Sequence, residues 1–364
     1  MKKFYDTHTN KIIATCALAL SAMAVFTGCG STSGGENGQV IVYNWGEYID
    51  PDTIDMFEEE TGIKVVYDEY ETNEIMYPKV ESGAASYDVI CPSDYMISKM
   101  IANNLLAEIN FDNIPNATAN IDPQYFEQSR GFDPDNKYSI PYCWGTVGIL
   151  YNKTMVDEPI TSWAQLWDEK YADNILMQDS VRDAFMVAEK LNGFSMNTVD
   201  SGELEIVKNS LIEQKPLVQA YVMDQVFDKM ISEEAYVAPY YAGDAMTMMD
   251  ENENLAAYVP VEGANLFFDS ICILKSSPNK EKAEAFINFM CDTEIALRNA
   301  EEVCYAIPQV ESFKLLDEET KEDTMVYPPE DVLDRCEVFI NLPSETLELQ
   351  SELWIKLKTN YKNK

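Results

Sequence analysis

Residues 40–48 constrain the fold most, because they join a buried strand directly to a polar loop. Val40, Ile41 and Val42 form a β-branched apolar run, which is typical of a buried strand. Trp45-Gly46-Glu47-Tyr48 follows at once, and Pro51 then opens a helical pattern. The residues between strand and helix therefore lie on a loop at the carboxyl end of the strand, which is where open α/β sheets bind ligands.

Strand and helix patterns alternate over residues 39–142, which predicts βαβ units and a parallel sheet. A long strand over residues 140–151 then leads into a second set of strands and helices. Helices are predicted over residues 163–170, 280–300 and 345–358, among others. About 330 residues remain after the N-terminal segment, enough for two domains. The sequence therefore predicts a two-domain α/β protein.

The N-terminal residues have the pattern of a bacterial lipoprotein signal. Three lysines precede an apolar run over residues 12–26, which ends at Thr27-Gly28-Cys29. We predict that residues 1–28 are a signal peptide, that Cys29 is lipidated, and that residues 29–38 are a flexible Gly/Ser-rich tether. We therefore predict an extracytoplasmic protein that is anchored to the cell membrane. The alternative is an ordinary secreted protein.

The chain is strongly acidic, with 63 Asp and Glu against 26 Lys and Arg and a formal net charge of −37. Nucleic acid and anionic lipid surfaces are poor partners for such a body. A polycationic ligand would be attracted to it. The alternative is that the charge forms a solvated surface that aids solubility.

The only histidine, His8, lies in the predicted signal peptide. Nucleophilic catalysis by a serine–histidine or cysteine–histidine pair is therefore excluded from the mature chain. We predict no metal site, no cofactor and no enzymatic activity. The cysteines beyond Cys29 are widely spaced without any C-x-x-C pattern, and we predict buried thiols.

Five clusters combine aromatic or hydroxyl side chains with carboxylates, each next to a predicted strand. They begin at Trp45, Cys91, Gln178, Tyr240 and Leu266. Aromatic faces bind alkylammonium groups, and carboxylates accept strong charge-assisted hydrogen bonds from them. The clusters together predict a site for a small polyamine.

Each cluster also has a purely structural alternative. Asp94 is a candidate helix N-cap, and Gly243-Asp244 is a candidate turn. Arg182 is expected to pair with Asp179 or Asp183 and to orient them.

The chain resembles the spermidine/putrescine-binding proteins of bacterial ABC importers. The resemblance rests on Tyr43-Asn44-Trp45-Gly46-Glu47-Tyr48, Pro92-Ser93-Asp94-Tyr95, Tyr241-Ala242-Gly243-Asp244 and Phe268-Asp269-Ser270, and it covers the mature chain. It implies a two-domain periplasmic-binding-protein (type II) fold with crossover strands and an interdomain cleft. We place the N-terminal domain at residues 39–144 with 269–315, and the C-terminal domain at 145–268 with 316–364. A monomer that delivers a polyamine to a membrane permease, and through it to an ATPase subunit, is expected.

The resemblance also implies the roles of individual residues. The residues that would contact the methylene chain, or close an aromatic box around it, are Trp45, Tyr95, Tyr241, Phe267 and Tyr305. The resemblance implies that Glu47, Asp183, Asp244 and Asp269 bind the ammonium groups, with further contacts from Ser93 and Tyr48. Ser180, Tyr241 and Ile340 depart from the spermidine-type pattern, whereas Asp244 and Phe267 look like the putrescine-type members, so the choice between putrescine and spermidine stays open.

Two other functions are weighed against a polyamine-binding protein. The first is an extracytoplasmic hydrolase that uses Asp179 and Asp183 as paired acids, as in a glycosidase. The second is a binding protein of the same fold for another organic cation such as a betaine. The abundance of carboxylates favours primary ammonium groups, because an aromatic cage alone suffices for a quaternary one.

Overall fold

The computed structural model describes Gly35 and residues 37–360. The predicted signal peptide, the predicted lipidation site Cys29 and most of the predicted tether lie outside these residues. Asn37 N–H donates to the Gly62 carbonyl at 3.1 Å, and Lys64 N–H donates to the Gly38 carbonyl at 2.9 Å. The end of the predicted tether is therefore already hydrogen-bonded to the folded body.

Strands and helices alternate along most of the described chain. The strands are β1 (Gln39–Trp45), β2 (Lys64–Tyr70), β3 (Val89–Ile90), β4 (Ser139–Asn152), β5 (Ile175–Gln178), β6 (Val218–Val222), β7 (Val237–Tyr241), β8 (Leu255–Tyr258) and β9 (Leu266–Ile273). The helices are α1 (Pro51–Thr61), α2 (Asn73–Glu81), α3 (Asp94–Ala102), α4 (Pro115–Asn120), α5 (Pro123–Ser129), α6 (Val181–Leu191), α7 (Ser201–Gln214), α8 (Gln225–Ile231), α9 (Ala242–Glu251), α10 (Lys280–Met290), α11 (Thr293–Val303), α12 (Val310–Leu315), α13 (Glu318–Glu322), α14 (Glu330–Leu333) and α15 (Ser344–Thr359).

The first βαβ unit forms where the sequence predicts it. Strands β1 and β2 pair in parallel, with Val40 opposite Val65. The helix between them begins after Asp50, whose carboxylate accepts a hydrogen bond from Asp52 N–H, with Pro51 as the first helical residue. It ends at Gly62, whose φ of 68° is the left-handed conformation that glycine adopts most easily.

One continuous sheet carries strands from both halves of the molecule, in the order β2-β1-β3-β9-β4-β7-β5-β6, with β8 also paired to β4. Strands β1, β2 and β3 are parallel, as are β5, β6 and β7. The 14-residue strand β4 is buried along its whole length. It pairs antiparallel with β9, and over its second half with β7 and β8. Strands β4 and β9 therefore connect the two halves.

The apolar core is divided in the same way. Two clusters draw on residues up to Cys143 together with residues from Phe267 to Tyr305, and we call this part the N-half. Two further clusters lie between Val147 and Ala264 and also take Met325, Phe339, Leu353 and Leu357; we call this part the C-half. Together with the sheet topology, these clusters confirm the predicted α/β class. The residue boundaries of the two domains stay a prediction.

Three sequence predictions about helices and strands are wrong in detail. The single helix expected over residues 280–300 is two helices, because Asp292 breaks the run and caps α11 by accepting a hydrogen bond from Glu294 N–H. Residues 163–170 form short 3-10 turns at Trp163–Trp167 and Glu169–Tyr171. Strand β6 was not predicted, because its alternation of half-exposed residues lacks a continuous apolar run.

No helix in the described part of the chain is long and apolar enough to cross a membrane. The cysteines at 91, 143, 272 and 291 are buried free thiols, as predicted, whereas those at 304 and 336 are free but only half-buried.

Candidate ligand-binding cleft

A cleft of about 750 Å³ lies between the N-half and the C-half. Ten of the eleven residues predicted to bind ligand line it, namely Trp45, Tyr48, Ser93, Tyr95, Asp183, Tyr241, Asp244, Phe267, Asp269 and Tyr305. The fold therefore brings together predicted binding residues that lie up to more than 250 positions apart in the sequence. Their role in binding stays a prediction.

The topology explains why these side chains meet. Trp45 ends β1, Tyr241 ends β7, and Ser93 directly precedes α3. Ends of parallel strands and beginnings of the helices that follow them collect at one edge of a sheet. Phe267 and Asp269 lie within β9, opposite Gly145 and Cys143 of the other connecting strand. The cleft is thus built from strand ends on both sides and from β9 between them.

Asp269 is a buried carboxylate with one oxygen committed and one oxygen unused. The Tyr48 hydroxyl donates to Asp269 Oδ2 at 2.6 Å, and the Cys143 thiol lies 2.9 Å from the same hydroxyl. Asp269 Oδ1 is buried without a hydrogen-bond partner among the described residues. Burial raises the pKa of the Asp269 carboxyl to about 6, although the Tyr48 hydroxyl and the nearby Ser93 side chain both act in the opposite direction. This oxygen is therefore ready to accept a donor from a ligand.

Asp244 lies in the first turn of α9, where its carboxyl interacts with the Tyr305 hydroxyl. Burial raises the pKa of the Asp244 carboxyl to about 8, and the charges of Asp224 and Glu47 add to the increase. The Tyr305 ring reaches this position because residue 243 is glycine: a Cβ there would lie 2.7 Å from the ring. Gly243 and Asp244 therefore open a helix and do not form the turn considered above.

Asp183 is almost fully buried on the first turn of α6, where it accepts a hydrogen bond from the Tyr241 hydroxyl at 3.1 Å. Burial raises the pKa of its carboxyl, and the negative charge of Glu74 across the cleft adds to this shift. The Ser180 hydroxyl accepts the Asp183 N–H at 3.5 Å and caps the helix. Asp183 thus combines a position in the first turn of α6 with a carboxylate that lines the cleft.

Aromatic rings form much of the cleft wall. Tyr305 contacts Phe267 and Tyr48 with ring centroids 5.8 and 5.3 Å apart. Phe267 in turn contacts Tyr241 at 5.8 Å. Trp45 is fixed by a hydrogen bond of 2.7 Å from its indole N–H to the Cys91 carbonyl. These mutual edge contacts hold the rings in place, which makes a rigid apolar wall suited to methylene groups.

The structure departs from the sequence analysis at Glu47 and Asp94, and the ligand-binding role of Glu47 stays a prediction. Glu47 does not line the cleft but lies exposed beside its mouth with φ of 51°, because the tight turn after Trp45 directs it outward. Its charge still raises the pKa of Asp224 and Asp244. Asp94 is not a helix N-cap: Ser93 holds that position, and the Asp94 carboxylate instead accepts Tyr95 N–H at 2.6 Å and Phe268 N–H at 3.1 Å.

Arg182 was expected to pair with Asp179 or Asp183, and this is also wrong. Its guanidinium donates to Asn197 Oδ1 at 3.2 Å and to the Ile340 carbonyl at 3.3 Å. Asp179 pairs with Lys358 at 2.8 Å and lies outside the cleft wall. The sequence cannot show this, because both acceptors come from segments distant in the chain.

Several cleft residues were not predicted to bind ligand. They are Tyr70, Glu71, Asn73, Glu74, Asp94, Asp224, Tyr240, Asn265 and Phe339, among others. Burial raises the pKa of the Asp94 carboxyl to about 8, and that of Asp224 is also raised. Glu71 and Glu74 follow strand β2 directly, and Asp224 follows β6. A search for carboxylates at strand ends predicts the other clusters. The same search finds these three residues once β6 and the end of β2 are included.

The arrangement suits a cation with an apolar body. Seven carboxylates line the cleft against one cationic side chain, Arg182. Several of these carboxyls have raised pKa values, because desolvated negative charges without counterions disfavour ionisation. A ligand with ammonium groups at both ends of an alkyl chain would relieve that cost. Among the described residues, no group of three or more His, Cys, Asp or Glu side chains is placed to hold a metal ion.

Comparisons with known proteins give the same picture of the chain. Residues 85–336 match the family model of the bacterial extracellular solute-binding proteins, and residues 8–122 match that of a hypothetical lipoprotein family (MG045 family). The spermidine/putrescine-binding periplasmic protein of Escherichia coli is 33% identical over 341 residues, which cover 93% of this chain and 97% of the relative. The putrescine-binding periplasmic protein SpuD of Pseudomonas aeruginosa is 30% identical, over 91% of this chain and 94% of the relative.

A solved structure agrees with these relatives. The spermidine/putrescine ABC transporter substrate-binding protein PotD from Streptococcus pneumoniae is 39% identical, with a TM-score of 0.75, over 88% of this chain and 98% of that one. The likeness confirms the predicted two-domain periplasmic-binding-protein fold, and membership in a solute-binding family confirms that the protein is not an enzyme. The chain therefore belongs to the bacterial extracellular solute-binding protein family.

Proposed function

We propose that this protein captures a polyamine, putrescine or spermidine, in the cleft and delivers it to the permease of an ABC importer. The relatives named above support a polyamine as the ligand class. The observation that carries the proposal is the unpaired buried oxygen of Asp269, placed among seven carboxylates and an aromatic wall. A protonated primary amine supplies what this oxygen lacks, a charged donor.

The chemistry of the cleft explains how binding would work. Asp269, Asp244 and Asp183 accept the ammonium groups by charge-assisted hydrogen bonds, which are about twice as strong as neutral ones. Phe267, Tyr305 and the other rings cover the methylene chain. Charges 4 Å apart attract by about 1 kcal/mol in water but by about 4 kcal/mol at an effective dielectric of about 20, so exclusion of water strengthens the contacts.

Calorimetric titration with putrescine, spermidine and spermine tests the proposal. We expect micromolar or tighter affinity for at least one polyamine. Glycine betaine, sugars and neutral amino acids should give no binding. Tight binding of betaine with none of the three polyamines would contradict the proposal and favour a ligand with a quaternary ammonium group.

We also propose that the mature protein is a monomer held at the cell membrane by a lipid on Cys29. The signal pattern before Cys29 and the match to a lipoprotein family support the anchor. A Cys29→Ala variant should leave the membrane fraction and fail to incorporate labelled palmitate. An unchanged membrane fraction would contradict lipidation. The molar mass from light scattering of the chain after Cys29 tests whether the protein is a monomer.

A further inference from the structure

Among the residues that the structure describes, Arg182 is the one cationic side chain in the cleft wall, and it is only 3% exposed. None of the ion pairs among the described residues involves it. Its guanidinium carbon lies instead 4.1 Å from the ring centroid of Phe339 and 5.2 Å from that of Tyr95. Arg182 interacts electrostatically with the buried carboxyls of Glu189, Asp183 and Asp94, but forms a close ion pair with none of them. Burying a charge without a close ion pair is costly, so the ring contacts call for a functional explanation.

The rings that Arg182 contacts belong to different halves. Tyr95 lies on α3, whose Met96, Ile97 and Met100 are buried in the N-half core. Phe339 is buried in the C-half core, as are the residues of α6 that follow Arg182. The rings of Tyr95 and Phe339 meet edge to face with centroids 5.8 Å apart. Tyr95 therefore packs against both halves at once.

Each partner of this contact is held firmly from its own side. The Tyr95 hydroxyl donates to Glu74 Oε1 at 2.9 Å and accepts from Asn73 Nδ2 at 3.1 Å, both on α2 of the N-half. Arg182 is fixed by its hydrogen bonds to the Asn197 side chain and the Ile340 carbonyl, both in the C-half. Separating the halves would therefore break the contacts of Tyr95 with the Phe339 ring and with the Arg182 guanidinium, and would leave the contacts within each half in place, including that of Arg182 with Phe339.

We propose that Tyr95, Arg182 and Phe339 form a cation–π latch between the two halves, which stabilises the closed cleft and in which Arg182 itself does not bind the ligand. The inference rests on the proposed function only for its ligand-dependent test. Arg182 is accordingly a positioning residue: it acts on affinity through the equilibrium between open and closed states. A ligand that binds the closed state gains affinity in proportion to the population of that state.

The first test uses Arg182→Gln, which keeps a hydrogen-bonding side chain but removes the cation. Small-angle X-ray scattering of the ligand-free protein should show a larger radius of gyration than in the wild type. Affinities for putrescine and spermidine should both fall, by the same factor of about twofold to thirtyfold, as expected for a cation–π contact. Dissociation should be faster.

The matched control is Lys190→Gln, which removes another buried cation from the same helix. Lys190 pairs with Glu337 within the C-half and does not line the cleft. We expect wild-type scattering and affinities from this variant. Arg182→Lys keeps the positive charge and should lie between the wild type and Arg182→Gln.

Two results would overturn the latch. Unequal losses for putrescine and spermidine would make Arg182 part of a ligand subsite, and unchanged scattering would show that it does not affect closure. If Arg182→Gln does not fold, Phe339→Leu removes the C-half ring that meets Tyr95 and must open the ligand-free protein in the same way. Because scattering needs no ligand, a wild-type protein that binds no polyamine would contradict the proposed function and leave the latch to be judged separately.

Discussion

The acceptor side of the cleft (Tyr48, Asp244, Asp269 and Tyr305) and the latch (Tyr95, Arg182 and Phe339) use the same kinds of groups differently. On the acceptor side, carboxylates face aromatic rings and lack a cation, so burial raises the pKa of Asp244 to about 8 and that of Asp269 to about 6. In the latch, aromatic rings already hold the cation of Arg182. The comparison shows that a cleft can be lined with similar residues throughout while only one side has carboxylates that lack a cationic partner.

Asp269→Asn should have the largest effect, because it removes the negative charge from the acceptor side. Loss of a buried charge partner costs about 2–5 kcal/mol, so we expect polyamine affinity to fall by about thirtyfold to several thousandfold in calorimetric titration. Asp331→Asn removes an exposed acid that pairs with Arg335 far from the cleft wall and should bind as the wild type. An unchanged affinity for Asp269→Asn would remove the distinction between the two regions.

A change of pH tests the acceptor side without mutation. Ammonium binding favours ionised carboxylates, so polyamine affinity should rise from pH 5.5 to pH 8 as Asp244 loses its proton, by about a hundredfold. Titration in two buffers of different ionisation enthalpy should show proton release near pH 7. A flat affinity profile would show that these carboxyls are already ionised in the empty cleft.

The stability of the ligand-free protein should change in the opposite direction with pH. Between the ordinary carboxyl pKa near 4 and the raised values of Asp94 and Asp244 near 8, the folded state binds more protons than the unfolded state. The free energy of unfolding therefore falls as pH rises through this window. Thermal melts at pH 5.5 and pH 8 measure this contribution, and a saturating polyamine should reduce it.

Gly243→Ala tests how closely the acceptor side is packed. Its Cβ would lie 2.7 Å from the Tyr305 ring, so the ring must move away from Asp244. Overpacking of this kind costs about 1–3 kcal/mol, and we expect a loss of polyamine affinity of about tenfold or more. Gly131→Ala is the control, since its Cβ would meet the Gln128 carbonyl at an ordinary 3.4 Å. Wild-type affinity in Gly243→Ala would show that Tyr305 does not need this position.

Tyr48→Phe should have the smallest effect, because it removes one hydrogen bond and keeps the ring. The Tyr48 hydroxyl stabilises the ionised form of Asp269, so its loss raises the pKa of that carboxyl further. We expect affinity at pH 7 to fall about tenfold, corresponding to about 1.4 kcal/mol. The loss should shrink at pH 8, where Asp269 is ionised in both proteins. An equal loss at both pH values would instead indicate direct contact between Tyr48 and the ligand.

The strand-to-helix pattern of the sequence predicted the fold class well, and the reason is local. Residues 40–51 combine an apolar run, a polar loop and Pro51, and each of these signals depends only on residues close to it in the sequence. The break at Asp292 was missed because the apolar spacing of α10 and α11 continues in helical phase across it. Strand β6 was missed because its half-exposed residues carry no strong pattern, and with it the carboxylate of Asp224.

The sequence by itself determined which residue types stand at the ends of strands, and therefore which side chains can meet in the cleft. Only the tertiary structure decided their electrostatic roles. Glu47 faces outward because of one backbone turn, and Arg182 bonds to Asn197 and Ile340 and not to its neighbouring aspartates. Propensities and apolar spacing are properties of nearby residues, whereas burial and partner choice depend on segments that folding brings together. Whether a carboxylate is paired, capped or free is for this reason decided only in three dimensions.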